Sequence, residues 1–191
     1  MQKRKIILAS RSPARLELLR EAGLKISVDY PDINESVRRG EPVGRYANRL
    51  ALEKAKKIAI RHKNAVVVGV DTVIALGQRI FGKPKNKKEA VRYLKTLSGK
   101  WHKVCSGTVV LDSKSGRYLR KLVVSKVRFA RLSKEQIDWY VATGEPLRVA
   151  GAYSIQWSGR TLIESVDGCY TNIIGVSVPV LIQMLKIINA I

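Results

Sequence analysis

Val66-Val67-Val68-Gly69-Val70-Asp71-Thr72-Val73-Ile74 is an apolar, β-branched run with a single carboxylate set into it. A short run of this kind reads as a strand buried on both faces of a mostly parallel sheet. An ionised group taken out of water costs several kcal/mol unless it is paired or coordinated. Asp71 is therefore expected to face a cleft, a cation or a metal, or else to end the strand and cap a turn.

Upstream of that strand, Lys5-Ile6-Ile7-Leu8-Ala9 reads as another, followed by Ser10-Arg11-Ser12 and a helix from Pro13 to Gly23. Ser12 suits the N-cap, Pro13 the first helical position and Gly23 the C-terminal stop. A strand, a short serine-rich turn and a helix start make an anion site, because unpaired N–H groups and the positive end of the helix dipole point past the strand. Arg11 and Arg15 add guanidinium forks suited to phosphate oxygens, or else stand as surface arginines beside an ordinary cap. Ile26 to Tyr30 reads as a strand, and 31–36 as a loop in which Glu35 is a candidate metal ligand. From Val43 to about Arg61 the pattern is helical. Lys54 falls on the same stripe as Leu50 and Ile58 at about 100° per residue. A lysine aimed at the core side should snorkel or meet an anion.

Downstream, Gly77-Gln78-Arg79-Ile80 reads as a hairpin return, and Gly82-Lys83-Pro84 places the Lys83 cation on a stiff turn. Asn86 and Glu89 resemble a capping box for a helix reaching Leu97, and Ser133 with Gln136 a second one. Residues 104–111 and 117–131 form an antiparallel hairpin about the turn at 113–116. His102 is assigned a structural role. Residues 150–156 make a small-residue loop suited to a flat ligand, 159–166 a strand, and Pro179 opens an apolar helix. Strand and helix alternate at first and then a hairpin intrudes, so an α/β fold with a mixed sheet, flanking helices and a second lobe is expected.

At 191 residues, with a hydrophobic fraction of 46%, the chain suits one large domain or two closely joined lobes. The basic start, Met1-Gln-Lys-Arg-Lys, leads into an apolar segment too short for a signal peptide or a membrane span, which points to a cytoplasmic protein. Cys105 and Cys169 lack metal-site or disulfide spacing. Thirty-six Lys and Arg against fifteen Asp and Glu give a net charge of +21, a field that attracts nucleic acid, nucleotides or phosphates. The cations are scattered along helices and loops instead of clustering, which weighs against nucleic acid.

Six blocks in order carry a resemblance to a known family: 8–19 with its S-x-S-x-x-R pattern, 68–73, Gly82-Lys83-Pro84, 97–102, 150–156 and 170–175. They resemble the Maf family of nucleoside triphosphate pyrophosphatases along nearly the whole chain. The resemblance implies a single Maf-like domain over 1–191 with two lobes around a central cleft, as in Maf and ITPase folds, and often a homodimer. It also implies hydrolysis of a nucleoside triphosphate between the α and β phosphates, with a divalent cation, Mg²⁺ or Mn²⁺. By position, Asp71 matches the proton acceptor. Arg15, Thr72 and Gln156 match positions tied to substrate choice, while Ser10, Glu35, Lys54 and Lys83 match cleft residues. Ser12, at the helix start, joins the phosphate-binding set, and Glu35 or Asp71 bridges to the metal. Asp71-Thr72 and Ile155-Gln156 are similar to the subgroup acting on dTTP and UTP.

The chain departs from the family pattern at Ala14 and Val149, where basic residues are common, and over 175–178. The first two remove phosphate contacts, with Arg148 a partial substitute; the third is expected to affect packing. The rival reading is a basic nucleic-acid-binding module on the same fold without turnover.

Overall fold

Ile6, Ile7, Leu8 and Ala9 are all buried, as a strand flanked on both sides by parallel partners requires. This strand, β1 (Ile6–Ala9), pairs in parallel with β2 (Ile26–Asp29) and with β3 (Val66–Leu76). In the computed structural model, which describes residues 2–191, Ile6 lies opposite both Ile26 and Val66, and Ala9 opposite both Asp29 and Gly69. Met1, where the basic N-terminal run begins, lies outside the described residues. Two helices make the crossovers, α1 (Pro13–Glu21) from β1 to β2 and α2 (Val43–Ala59) from β2 to β3. β4 (Arg79–Phe81) returns antiparallel on β3, so the sheet is mixed. After α3 (Lys87–Leu97), β5 (Trp101–Asp112) and β6 (Tyr118–Phe129) lie side by side about the turn at 113–117, the hairpin expected. Then come α4 (Lys134–Ala142), β7 (Ile163–Asp167), α5 (Tyr170–Ile174) and α6 (Val178–Ile187). The seven-stranded sheet has the order β2-β1-β3-β5-β6-β7, with β4 beside β3. Among the described residues no helix is long and apolar enough to cross a membrane.

By internal packing the chain falls into two units, one running to Thr72 and adding Ser106–Val123 and Gly175–Ile191, the other comprising Val73–Cys105 and Val124–Ile174. In the first unit, Ala51, Ala55 and Ile58 of α2 pack on Ile7, Ala9, Val67 and Val109. The second has its own core, in which Phe81, Leu94, Val104, Phe129, Tyr140 and Tyr153 are buried together. His102 belongs to that core, as the structural role implied. Its Nε2 shares a 2.7 Å hydrogen bond with the Tyr153 hydroxyl, and its ring meets Phe129 and Tyr153 edge to face at 5.0 and 5.3 Å. Burial lowers its pKa to about 4, so the imidazole is neutral at pH 7.

Helix α1 is bounded as its sequence reads. Ser12 accepts the Arg15 N–H, and Pro13 opens the helix. At its end Gly23 takes φ +80°, donating to Arg20 O while Leu24 donates to Leu19 O, the paired bonds of a Schellman stop. Ser133 and Gln136 form the full capping box. At α3 only half of the box forms. Asn86 accepts the Glu89 N–H, but the Glu89 carboxylate takes the N–H of Lys85.

The strand expected over 159–166 is shorter than read, beginning only at Ile163, because residues 158–162 coil into a 3-10 turn. The cause is Glu145, whose carboxylate accepts the N–H groups of Ser158 and Gly159 and the Tyr140 hydroxyl. Amides held by a buried carboxylate cannot join a ladder.

Candidate active site

From β1 the chain crosses to β2 on one side and then to β3 on the other. The carboxyl ends of β1 and β3, where the strand order reverses, are where open α/β sheets take ligands. β3 continues past the level of Ala9 and carries Asp71 and Thr72 into that place.

Successive strand side chains point to opposite faces, and Val67, Gly69 and Asp71 turn toward α2. The helix runs so near that a Cβ on Gly69 would stand 2.1 Å from the carbonyl oxygen of Ala51. Gly107 of β5 is likewise bare beneath α2, where a Cβ would meet Ala47 O at 2.5 Å. With the helix at that height, Lys54 reaches the strand end and its Nζ donates to Asp71 Oδ1 at 2.7 Å. The same ammonium meets Glu35 Oε1 at 2.8 Å. The anion expected of a lysine on the buried stripe is thus a pair of carboxylates.

Thr72 turns the other way, toward α1. Arg15 donates from Nη2 to Thr72 Oγ1 at 2.9 Å, from Nη1 to Ser10 Oγ at 3.1 Å and from Nε to Gly175 O at 2.9 Å. Thr72 in turn donates to Gly175 O at 2.8 Å and shares a hydrogen bond with Ser106 Oγ. Of the five N–H groups on a guanidinium, three are committed to this frame and two remain for a ligand. Burial lowers the Arg15 pKa, and the carboxylates of Asp71 and Glu35 act against that shift.

Ser10, Ser12, Arg11, Arg15, Glu35 and Lys54 line one depression of about 320 Å³. Asp71, hydrogen-bonded to Lys54, is not among its lining residues. A second cavity of about 330 Å³ lies beside Arg4, Tyr118 and Ile187. Its one carboxylate, Asp112, is already bound by Arg4 at 2.6 Å.

The structure therefore brings together Ser10, Ser12, Arg15, Glu35, Lys54, Asp71 and Thr72, all in the first unit. Lys83 and Gln156 belong to the second. Lys83 is exposed just after β4, and Gln156 is half-buried, its N–H bonded to Ser154 Oγ. Before that residue, Gly151 takes φ +71° and donates to Gly82 O, tying the small-residue loop to the Gly82-Lys83-Pro84 turn. The role of the Gly175 carbonyl went unread in the sequence, because a backbone acceptor leaves no side-chain signature; Ser106 is silent for a different reason, being one serine within a strand.

Among the described residues no group of three or more His, Cys, Asp or Glu converges as a metal cluster. The two candidate ligands do converge, since Glu35 and Asp71 both lie within 2.8 Å of Lys54 Nζ. Two hard carboxylate donors would suit a hard divalent cation such as Mg²⁺ or Mn²⁺.

Residues 5–188 match the family described as Maf-like protein. A protein of Geobacter sulfurreducens named dTTP/UTP pyrophosphatase is 43% identical over 190 residues, covering 100% of both chains. One of the same name from Desulforamulus reducens is 39% identical over 183 residues, 96% of each chain. A solved structure of a HAM1 protein from Coxiella burnetii aligns over 98% of this chain and 99% of that one with a TM-score of 0.52 at 17% identity, a likeness of fold alone. With the six ordered motifs and a family match over residues 5–188, the chain belongs to the Maf family.

Proposed function

We propose that this protein hydrolyses nucleoside triphosphates, dTTP and UTP foremost, between the α and β phosphates to a monophosphate and pyrophosphate. The observation that carries the reading is the convergence of Lys54, Glu35 and Asp71 beside Arg15 and the start of α1. The names of the full-length relatives give the substrate class.

Phosphoryl chemistry needs neutralised oxygens and an aligned nucleophile more than a covalent intermediate. The free N–H groups of Arg15, the Lys54 ammonium and the N–H groups at the start of α1 bind the phosphate tail. Lys83 and Gln156 are assigned to the substrate by their match to the family's positions, with Gln156 suited to a pyrimidine edge. Asp71 Oδ1 is held by Lys54, and Oδ2 is the oxygen that takes the proton of the attacking water. The new bond forms between the water oxygen and the α phosphorus, the bond to the bridging oxygen breaks, and pyrophosphate leaves with that electron pair. A divalent cation, which Glu35 or Asp71 would hold, would supply charge neutralisation on the phosphate oxygens. The same reading takes the two units as parts of one domain, in a cytoplasmic homodimer that needs no nucleic acid.

The test is pyrophosphate release from a panel of triphosphates, with and without Mg²⁺ or Mn²⁺, and with Asp71→Asn as control. Turnover of dTTP and UTP that collapses in the variant while nucleotide still binds supports the proposal. Salt-sensitive binding to long RNA or DNA with no pyrophosphate from any triphosphate overturns it in favour of the nucleic-acid module.

A further inference from the structure

Glu35 sits in a stretch without helix or strand, with its side chain 55% exposed, yet its carboxylate meets a buried ammonium. A loop residue free to sample many conformations would lose that contact to entropy, so something must hold the backbone. The holders are on α2. The Tyr46 hydroxyl donates to the carbonyl oxygen of Glu35 at 2.7 Å. One helical turn on, Arg49 donates from Nη2 to the carbonyl of the next residue, Ser36, at 3.1 Å. Arg49 also grips Glu41, at the far end of the loop, with two 2.7 Å bonds, and stacks over the Tyr46 ring at 5.5 Å. Tyr46, Leu50 and Lys54 follow one another at four-residue steps, so the helix face that presents the ammonium also carries the Tyr46 hydroxyl.

We propose that Tyr46 is a positioning residue of the site, fixing the Glu35 backbone so that the carboxylate is delivered to the place it shares with Lys54 and Asp71. The Tyr46 phenol is suited to stay a donor. Burial and the charges of Asp71 and Glu35 push its pKa up to about 12. The inference rests on the pyrophosphatase reading for its catalytic consequence, but the hold on the loop can be read without turnover.

Tyr46→Phe removes only the hydroxyl and keeps the ring beneath Arg49, so the fold is retained. The first measurement is amide exchange by NMR in the metal-free protein. The N–H groups of Ser36 and Arg38, now bonded to Asn34 and Glu41, should exchange at least about fivefold faster, the loss of one ordinary hydrogen bond, with α2 unchanged. The second is the Mg²⁺ or Mn²⁺ concentration giving half-maximal pyrophosphate release. It should rise several-fold in Tyr46→Phe, and the change should vanish when Glu35→Gln is already present. Unchanged exchange at both amides, or a metal requirement that shifts equally with and without Glu35, overturns the inference. A wild-type protein that releases no pyrophosphate strikes the functional reading instead, and the exchange result still decides whether Tyr46 holds the loop.

Discussion

Lys54 Nζ and Asp71 Oδ1 lie 2.7 Å apart with both residues buried, 8% and 7% exposed. Neither charge would be stable there alone. Removing one member of such a pair strands the other, at a cost of about 3 to 5 kcal/mol. Lys54→Met should lower the melting temperature by roughly 2–4 °C per kcal/mol lost, read by scanning calorimetry. A melting point within about 2 °C of wild type would show that the lysine is not what keeps the acid in place.

Arg15 should not be replaceable by lysine. A point charge cannot reproduce three bonds from one planar fork to Ser10, Thr72 and Gly175. Arg15→Lys is expected to destabilise the fold by about 1–3 kcal/mol, since buried acceptors lose their donors, and to raise KM for the triphosphate. Steady-state kinetics alongside urea unfolding check both; a variant with wild-type KM would leave Arg15 a structural residue only.

Gly69→Ala adds one methyl group where a backbone oxygen already stands 2.1 Å away. Either α2 lifts or β3 shifts, and both separate Lys54 from Asp71. Overpacking of this kind costs about 1–3 kcal/mol or more. Turnover should fall further than stability does, as compared by kcat and urea midpoint on the same preparation.

Acid should destabilise the protein through His102. Its folded pKa of about 4 lies below the ordinary value of 6.5, so the unfolded chain takes up the proton first. The stability contributed by the neutral ring is complete above pH 6.5 and is lost as pH falls from 6.5 to about 4, with little further change below. At about 1.36 kcal/mol per unit the loss amounts to about 3 kcal/mol. Urea unfolding across that window should show the slope, and His102→Gln should flatten it.

Much of this was readable in the sequence where the cause is local. Ser12, Pro13 and Gly23 bound α1 because caps and stops act within a turn. Lys54 could be singled out because helical periodicity alone sets its direction. What stayed hidden depends on contacts made across long stretches of chain. Glu145 coils residues 158–162 by binding amides more than ten positions away, which no strand pattern in that segment could reveal. The hold of Tyr46 on Glu35 ends on a main-chain oxygen, and the bareness of Gly69 has meaning only once α2 lies above it.

Because Asp71 and Thr72 are sequence neighbours on a pleated strand, their division of labour is a matter of parity. Slipping β3 by a single residue against β1 would leave the sheet's hydrogen bonds nearly intact while handing the hydroxyl to Lys54 and the acid to Arg15. The pairing of Ala9 with Gly69 thus belongs to the chemistry as much as to the scaffold, and an insertion anywhere in 66–70 would silence the protein without touching a single reactive group.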